Sequence, residues 1–168
     1  MNAFLRWLAC AGAGLALVQG VASATEDKGE GRAEKMLKAR GVAPTAAQID
    51  ANATLEAILD RSGADAWSHD KGARIQGTLV QVEDEADGDT HLAIAPTGGE
   101  TNTARWMIVE VTKASRAHDP SLASAKLKAL RGKHVAVTGW LYYEPDDASE
   151  DPRGTRWELH PATRIEAL

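Results

Sequence analysis

Cysteine is almost absent from this chain of 168 residues: the single one, Cys10, lies near the start of the sequence. One thiol cannot form an intrachain disulfide, and the sequence has no cysteine pair that would offer thiolates to a metal. The fold must therefore be held by an apolar core, and a chain of this length can form such a core as one domain.

A long, strongly apolar segment is also missing. The uncharged run 7–24 is rich in Ala and Gly, whereas a membrane-spanning helix needs about 20 predominantly apolar residues. Arg6 precedes the run and three small residues, 22–24, end it, which is the pattern of an export signal. We therefore predict that residues 1–24 are a signal peptide, that the mature chain begins at Thr25, and that it is periplasmic or secreted. Cys10 stands at the beginning of the run rather than after it, which argues against a lipid anchor.

Positive charge is scarce. The chain has 19 basic and 24 acidic residues, a formal net charge of −5, and loss of the leader would remove the basic Arg6. Nucleic-acid binding requires clustered cations that displace counterions from phosphates. The basic segment 126–134 lies at the end of a predicted helix, where cations complement the helix dipole. Nucleic-acid binding is therefore a distant third among the functions considered.

The region from residue 25 to 71 is rich in Ala and charged residues. Apolar periodicity and terminal glycines predict two short helices, in GRAEKMLKAR before Gly41 and in NATLEAILDRSG. We interpret this region as a helical extension or linker that precedes the main domain.

From residue 72 to 168 the apolar period changes to two, which predicts strands. Segments ARIQGTLVQVED, HLAIAP and ARWMIVEVT form a predicted meander. A helix follows, with Asp119 as N-cap, Pro120 at its first position and Gly132 past its end. Segments KHVAVTGWLYYEP and TRWELHPATRIEAL are the predicted fourth and fifth strands. In the first strand the apolar face changes after Gly77, which predicts a bulge or bend.

This order of elements predicts the fold class. It is mainly β: a five-stranded, OB-like Greek-key barrel with one helix between strands 3 and 4. A bent first strand fits this topology, in which that strand serves both halves of the barrel. Another five-stranded roll or sandwich with one helix remains an alternative.

The segments THLAIAP, WMIVEVT, VTGWLYYEP and RWELHPATRIE resemble a family of small exported bacterial OB-like domains. The shared features are an acidic turn followed by His, an IVE strand and a closing Glu-x-His-Pro strand. The resemblance covers about residues 74–166. It implies the fold and export, and it assigns no role to single residues.

Strand alternation places four polar side chains on one face of the predicted barrel: His91, Glu110, Glu158 and His160. Strand 3 would lie between strands 2 and 5, with cross-strand neighbours about 5 Å apart. Two imidazoles and two carboxylates are a suitable ligand set for a divalent metal such as zinc.

Two further features bear on this face. Asp87 and Asp89 in the preceding turn would orient His91. The alternative is a structural seam in which His and Glu on neighbouring strands hydrogen-bond each other, or in which Glu158 pairs with Arg105, Arg156 or Arg164.

Aromatic residues are few, and those in the strands have mixed positions. Trp157 shares the phase of the apolar Leu159 and is predicted to be core, whereas Trp140 and Tyr142 are out of phase with Leu141 and are candidates for a binding surface.

Taken together, the sequence predicts an exported binding or accessory module of the cell envelope. Its partner would be a small ligand, an ion or another envelope protein. The alternative is a metal-dependent hydrolase with His91 and His160 as ligands and Glu110 or Glu158 as ligand or general base.

Overall fold

Five strands of the computed structural model close into a barrel in the order β1-β2-β3-β5-β4. They are β1 (Gly72–Asp84), β2 (Thr90–Ala95), β3 (Met107–Val111), β4 (His134–Tyr143) and β5 (Trp157–Ala167). Among these five strands, β3 and β5 pair in parallel and the other neighbours are antiparallel. This strand order is that of an OB-fold and confirms the predicted fold class. The structure describes residues 31–145 and 153–168, so the predicted signal peptide lies outside the described residues.

Strand alternation fills the barrel interior with apolar side chains. Twelve strand residues of the core cluster are almost completely buried: Ile75, Leu79, Leu92, Ile94, Met107, Val109, Val111, Val135, Val137, Leu141, Trp157 and Leu159. Trp157 is 0% exposed, which confirms its predicted core position. The opposite phase of the same strands consequently lies on the outside of the barrel.

The first strand contains the predicted bulge. Its register against β2 shifts between Leu79 and Gln81, so Val80 is the extra residue. Before the bulge, β1 pairs mainly with β4, and after it β1 pairs with β2 alone. The extra residue lets one strand serve two halves of the barrel and moves Val82 back to the core side.

Gly77 lies in β1 at a close approach of backbone and helix. A Cβ atom at this position would lie 2.6 Å from Ala95 O, 2.7 Å from Ile94 Cγ2 and 2.8 Å from Leu55 Cδ2. We expect Gly77→Val to lower the free energy of unfolding by about 2–3 kcal/mol because packed neighbours must move. Urea unfolding measures this, with Gly99→Ala as the control because a Cβ atom there would have no neighbour within 4 Å. Equal stability of both variants would contradict the close approach.

The connection from β3 to β4 is helical, as predicted, but it is not one helix. It consists of α3 (Lys113–His118), a 3-10 turn (Pro120–Leu122) and α4 (Ser124–Lys128). The predicted helix corresponds to the 3-10 turn and α4, and α3 was not predicted. Asp119 has extended backbone, as residues before proline prefer, and its side chain accepts a hydrogen bond from Ser121 N. The predicted cap is thus correct, but it begins only a short turn. Leu122 and Leu127 from this connection are completely buried in the core.

Two short helices precede the barrel, as predicted: α1 (Arg32–Lys38) and α2 (Leu55–Asp60). The second is more than a covering of the domain, because Leu55, Ile58 and Leu59 belong to the core cluster. In contrast, α1 has no buried residue. Neither these helices nor α3 and α4 are long and apolar enough to cross a membrane, and this holds for the described residues only.

Candidate functional site

The four predicted site residues lie together on the outside of the barrel. His91 and Glu110 are direct partners across β2 and β3. The parallel pair Val109 and Leu159 then brings β5 beside β3, so Glu158 and His160 flank Glu110. We call His91, Glu110, Glu158 and His160 the His/Glu cluster. Their grouping follows from strand alternation, because the neighbouring residues point into the core.

Glu110 is the centre of the His/Glu cluster. Its Oε1 lies 3.1 Å from His91 Nε2, and its Oε2 lies 3.0 Å from His160 Nδ1. His160 Nδ1 is also 3.6 Å from Glu158 Oε2. On the far side, Arg153 donates a hydrogen bond to Glu158 Oε1. The cluster is therefore a continuous row of alternating charge that crosses three strands.

The β5 half of the cluster is buried, although the cluster was predicted on an open barrel face, whereas Glu110 and His91 are partly exposed. Glu158 is 1% exposed and His160 is 5% exposed. The Tyr142 ring packs edge-on against the His160 ring, with 5.6 Å between centroids. Above Tyr142, the Lys38 ammonium lies 4.9 Å from the ring centroid. The segment that carries α1 thus covers this side of the barrel.

The same segment changes the position of the predicted aromatic surface. Trp140 is 7% exposed and Tyr142 is 1% exposed, so both are buried and do not form an open stacking face. The indole Nε1 of Trp140 donates to Val42 O at 2.8 Å, and the Arg40 guanidinium lies 4.3 Å from the ring centroid. The alternation of side chains along β4 correctly predicted that the Trp140 and Tyr142 rings lie outside the barrel. It could not predict which segment covers them.

Two buried ligand atoms of the cluster have no hydrogen-bond partner within the described residues: Glu158 Oε2 and His160 Nδ1. The short distances from His160 Nδ1 to the two carboxylates therefore reflect charge proximity without a well-directed hydrogen bond. Glu110, Glu158 and His160 each offer one ligand atom within 4.8 Å of the others. Bonds of about 2.0–2.2 Å around a tetrahedral zinc put ligand atoms about 3.4 Å apart. The observed spacing of 3.0 and 3.6 Å is close to that requirement.

His91 has a different place from the other three. It reaches Glu110 through Oε1, the oxygen that faces away from His160. Its Nδ1 lies 3.8 Å from Glu85 Oε1. This arrangement suits a residue that orients Glu110, while Glu110, Glu158 and His160 supply the ligand atoms.

Charge proximity shifts the pKa values of the imidazoles. Contact with Glu110 raises the pKa of His91 to about 8 against the opposing effect of burial. Burial also opposes the charge of His160, but Glu110 and Glu158 together outweigh it and raise the pKa to about 9. Both imidazoles are consequently protonated at neutral pH when no metal is bound, and metal binding must displace a proton.

The two carboxylates are shifted in opposite directions. Burial alone would raise the pKa of Glu110, but His160 and His91 outweigh it and hold the pKa well below its usual range. Burial, aided by the charge of Glu110, raises the pKa of Glu158 despite His160 and Arg153. Such opposed shifts at one cluster are typical of functional sites, although ion-pair networks also produce them.

A pocket of about 500 Å³ adjoins the cluster. It lies between α1, the turn from β1 to β2 and the start of α3. We call it the lysine pocket. Its wall includes Lys35, Lys38, Lys113, His91, Glu110 and His160.

Several partners of the cluster differ from those predicted. Asp87 and Asp89 line the lysine pocket, but Glu85 is the carboxylate nearest to His91 Nδ1. Asp89 instead accepts a hydrogen bond from Lys113 N. Within the described residues neither aspartate lies within ion-pair distance of His91, and Glu85 approaches it at 3.8 Å, which is beyond hydrogen-bond distance.

Arg153 is the partner of Glu158, which the sequence-based interpretation missed. Arg105 pairs with Asp60, Arg164 pairs with Glu166, and Arg156 donates to Pro145 O. Arg153 lies before the start of β5 and outside any strand, so strand alternation does not predict where its side chain points. Only the path of the chain brings it to the carboxylate.

No protein-family model matches this sequence, and no curated protein matches it. The chain is similar to several solved structures. One is the S. pombe Stn1-Ten1 complex, at 15% identity and a TM-score of 0.38, over 58% of this chain and 57% of that chain. Another is OBody AM2EP06 bound to hen egg-white lysozyme, at 12% identity and a TM-score of 0.43, over 68% of this chain and 88% of that chain. A third is Entamoeba histolytica asparaginyl-tRNA synthetase, at 13% identity and a TM-score of 0.41, over 62% of this chain and 22% of that chain. The chain thus spans little more than half of the first and a fifth of the third. These likenesses concern the fold alone.

Proposed function

We propose that this protein is an exported binding module of the cell envelope whose barrel holds a divalent cation, with zinc as the reference ion. Glu110, Glu158 and His160 would be its ligands, and His91 would orient Glu110. The observation that carries the proposal is the pair of buried atoms, Glu158 Oε2 and His160 Nδ1, that have no hydrogen-bond partner in the described part of the chain.

A purely structural seam explains these atoms less well. A buried polar group left without a hydrogen bond costs about 1–3 kcal/mol, and more when it is charged. A cation between Glu158 Oε2 and His160 Nδ1 would satisfy both atoms at once. Carboxylate oxygen and imidazole nitrogen are also common ligands of zinc.

The first test is the metal content of protein purified without chelator or metal-affinity resin. We expect about one divalent ion per chain, and we expect zinc at 100 times its Kd to raise the Tm of stripped protein by about 5–10 °C. Zinc binding at pH 7 should release a proton because the pKa of His160 is raised to about 9. Calorimetry in buffers of different ionisation enthalpy measures that release.

Glu158→Gln should lose bound metal while remaining folded by circular dichroism. Glu166→Gln is the matched control, because this carboxylate lies on the same strand and pairs with Arg164 outside the cluster. A wild-type protein that contains no metal, and whose Tm does not respond to zinc, would leave the cluster as a structural seam.

Mass spectrometry of the same preparation checks export: the proposal expects a start at Thr25, and an intact leader on cytoplasmic protein would overturn it.

A metal-dependent hydrolase is the second candidate, and the lysine pocket favours it. The pocket adjoins His160 and Glu110, so a metal there would have room for water and a substrate at an open coordination position. Glu158 or Glu110 would then serve as ligand or general base. Hydrolysis of p-nitrophenyl esters by zinc-loaded protein, lost in Glu158→Gln and kept in Glu166→Gln, would support this activity. If the zinc-loaded protein does not hydrolyse the esters, the binding module is the function that stays proposed.

A further inference from the structure

A basic segment lies across the outer side of β4. We call residues 38–42 the basic strap, and the rings of Trp140 and Tyr142 the ring pair. The Lys38 ammonium lies 4.9 Å from the Tyr142 ring centroid, and the Arg40 guanidinium lies 4.3 Å from the Trp140 ring centroid. Cations within about 6 Å of a ring centroid are attracted to the ring face. Lys38 meets the later ring of β4 and Arg40 the earlier one, so the strap runs antiparallel to the strand.

The spacing of the two cations matches that of the two rings. Lys38 and Arg40 are separated by one residue, and so are Trp140 and Tyr142. Residues two apart in a strand leave the same face, so β4 presents both rings side by side. The ring pair is consequently suited to a segment that carries two cations separated by one residue.

Polar contacts accompany the contacts between cations and rings. Trp140 Nε1 donates a hydrogen bond to Val42 O at 2.8 Å, and Lys38 Nζ lies 2.8 Å from Glu144 Oε2. The barrel thus contributes two rings, an N–H donor and a carboxylate, while the strap contributes two cations and a backbone carbonyl. These contacts do not require a particular apolar side chain on the strap. Another segment with the same positive charges would offer the same chemistry.

Little burial holds the strap in place. The helix α1, which leads into it, has no buried residue, and helices shorter than about 12 residues are marginal on their own. Arg40 Nη1 donates to His69 O, but Arg40 Nη2 is buried without a hydrogen-bond partner in the described residues. Water would supply that partner once the strap lifted. From Pro44 onward the chain is packed on β1, because Pro44 Cγ lies only 2.5 Å from where a Cβ atom at Gly72 would be. Release therefore concerns residues 31–43.

We propose that the ring pair of β4 is a docking site for a basic segment of a partner protein, and that the basic strap occupies this site as an intramolecular competitor. The partner segment would carry two Lys or Arg residues separated by one residue. This inference goes beyond the cation site and does not depend on it, because neither the strap nor the ring pair supplies a proposed metal ligand.

The strap of a second copy suits the site less well than a partner segment. Exchange of straps between two chains would replace each contact by an identical one, while association costs translational and rotational freedom. A partner that makes further contacts beyond the ring pair has a net gain and displaces the strap. The strap thus acts as an autoinhibitory segment that excludes weaker binders.

A synthetic peptide of residues 31–43, carrying a fluorescent label, is the probe for the first experiment. Its anisotropy is measured while full-length protein is added. The double variant Lys38→Gln/Arg40→Gln removes both cations from the tethered strap and frees the ring pair. We expect it to bind the peptide at least about 10-fold more tightly than the wild type, in which the tethered strap competes at a high effective concentration. Binding should weaken as sodium chloride rises.

Two controls match this comparison. Lys35→Gln changes an exposed lysine of the same helix, and this variant should bind the peptide as weakly as the wild type does. A peptide with Gln in place of Lys38 and Arg40 should bind the double variant at least about 10-fold more weakly than the native peptide, because it lacks both cations for the rings. Equal binding of the two peptides, or equal binding by wild type and double variant, would overturn the proposal.

Substitutions on the barrel side locate the site. In the double variant, the further change Trp140→Leu should abolish peptide binding, and Glu144→Gln should weaken it about 3–5-fold by removing the partner of a lysine. Glu144→Gln leaves both rings in place, so it keeps the test valid if Trp140→Leu does not fold by circular dichroism. Full binding by the Glu144→Gln variant and by a folded Trp140→Leu variant would overturn the ring pair as the site.

Light scattering distinguishes the two occupants. A monomeric wild type supports a partner segment, whereas a wild-type dimer that dissociates in the double variant would overturn the partner and assign the strap of a second copy. Metal content does not enter the readout. Peptide binding by a protein that takes up no zinc would thus support this inference while the cation site alone failed.

Discussion

Glu110→Gln is expected to lower the pKa of both His91 and His160 towards the ordinary value and to cost about 3 kcal/mol of stability at pH 6. Glu110 contacts both imidazoles, at 3.1 Å and 3.0 Å, so its neutral amide removes the charge that holds their protons. At pH 9 the same substitution should cost less, because His91 of the wild type has by then lost most of its proton occupancy and His160 about half.

The sign of this pH dependence follows from the pKa shifts. His91 and His160 have raised pKa values. Their contribution to the free energy of unfolding is therefore fully present below about pH 6.5 and is lost as pH rises through about 8 and 9. The raised pKa of Glu158 also makes stability fall as pH rises, beginning at its ordinary value of about 4.5. Glu110 has a lowered pKa and contributes stability that is lost as pH falls below about 4.5. Wild-type protein in chelator should therefore lose stability as pH falls below about 4.5 and as pH rises towards 9, where the raised pKa values of the two imidazoles correspond to a loss of about 5 kcal/mol.

Urea unfolding from pH 5 to 9 and NMR titration of the imidazoles measure both effects. Glu85→Gln is the matched control: Glu85 is the other carboxylate near His91, but it is more exposed and 3.8 Å away. It should shift the pKa of His91 slightly and leave that of His160 unchanged. A wild-type stability that is flat from pH 6.5 to 9, or imidazoles that titrate normally, would contradict the charge arrangement.

Ile58→Ala is expected to lower the free energy of unfolding by about 3–4 kcal/mol, as much as Leu141→Ala inside the barrel. Both side chains are 0% exposed and belong to the same core cluster. The substitution would leave a cavity where α2 packs into the barrel. Guanidinium or urea unfolding at a single pH gives both values.

Glu56→Ala, in the same helix but exposed, is the control and should change stability by no more than about 0.5 kcal/mol. A chain that begins at Gly72 should fold poorly, since it lacks Leu55, Ile58 and Leu59 from the core. A neutral Ile58→Ala would mean that α2 is a removable covering.

Local sequence signals predicted the barrel well. Alternating apolar residues identified all five strands, and the change of phase after Gly77 identified the bulge, which the structure places at Val80. The connection between β3 and β4 was less predictable. Its apolar periodicity indicated one helix from Pro120 onward, but extended backbone at Ala123 divides that helix into a 3-10 turn and α4. The helix α3, which ends before Asp119, was not predicted.

The candidate site was predictable to the extent that it depends on strand phase. His91, Glu110, Glu158 and His160 could be grouped because β3 lies between β2 and β5 in this topology. Whether these residues hold a metal remains a proposal. Arg153, Glu85 and the three pocket lysines were not predicted as site residues, because they lie on turns, on α1 and at the start of α3.

The sequence by itself thus determined which side chains leave each face of the strands, since a period of two is a property of the backbone. Only the tertiary structure decided what covers those faces. The segment that carries α1 lies over Tyr142 and Trp140, and Tyr142, Glu158 and His160 are buried. Contacts between imidazoles and carboxylates then outweigh burial in the pKa shifts of His91, Glu110 and His160. Within the described residues, two buried ligand atoms of the His/Glu cluster have no hydrogen-bond partner. Contacts between segments distant in sequence produce these effects, and no local pattern of residues encodes them.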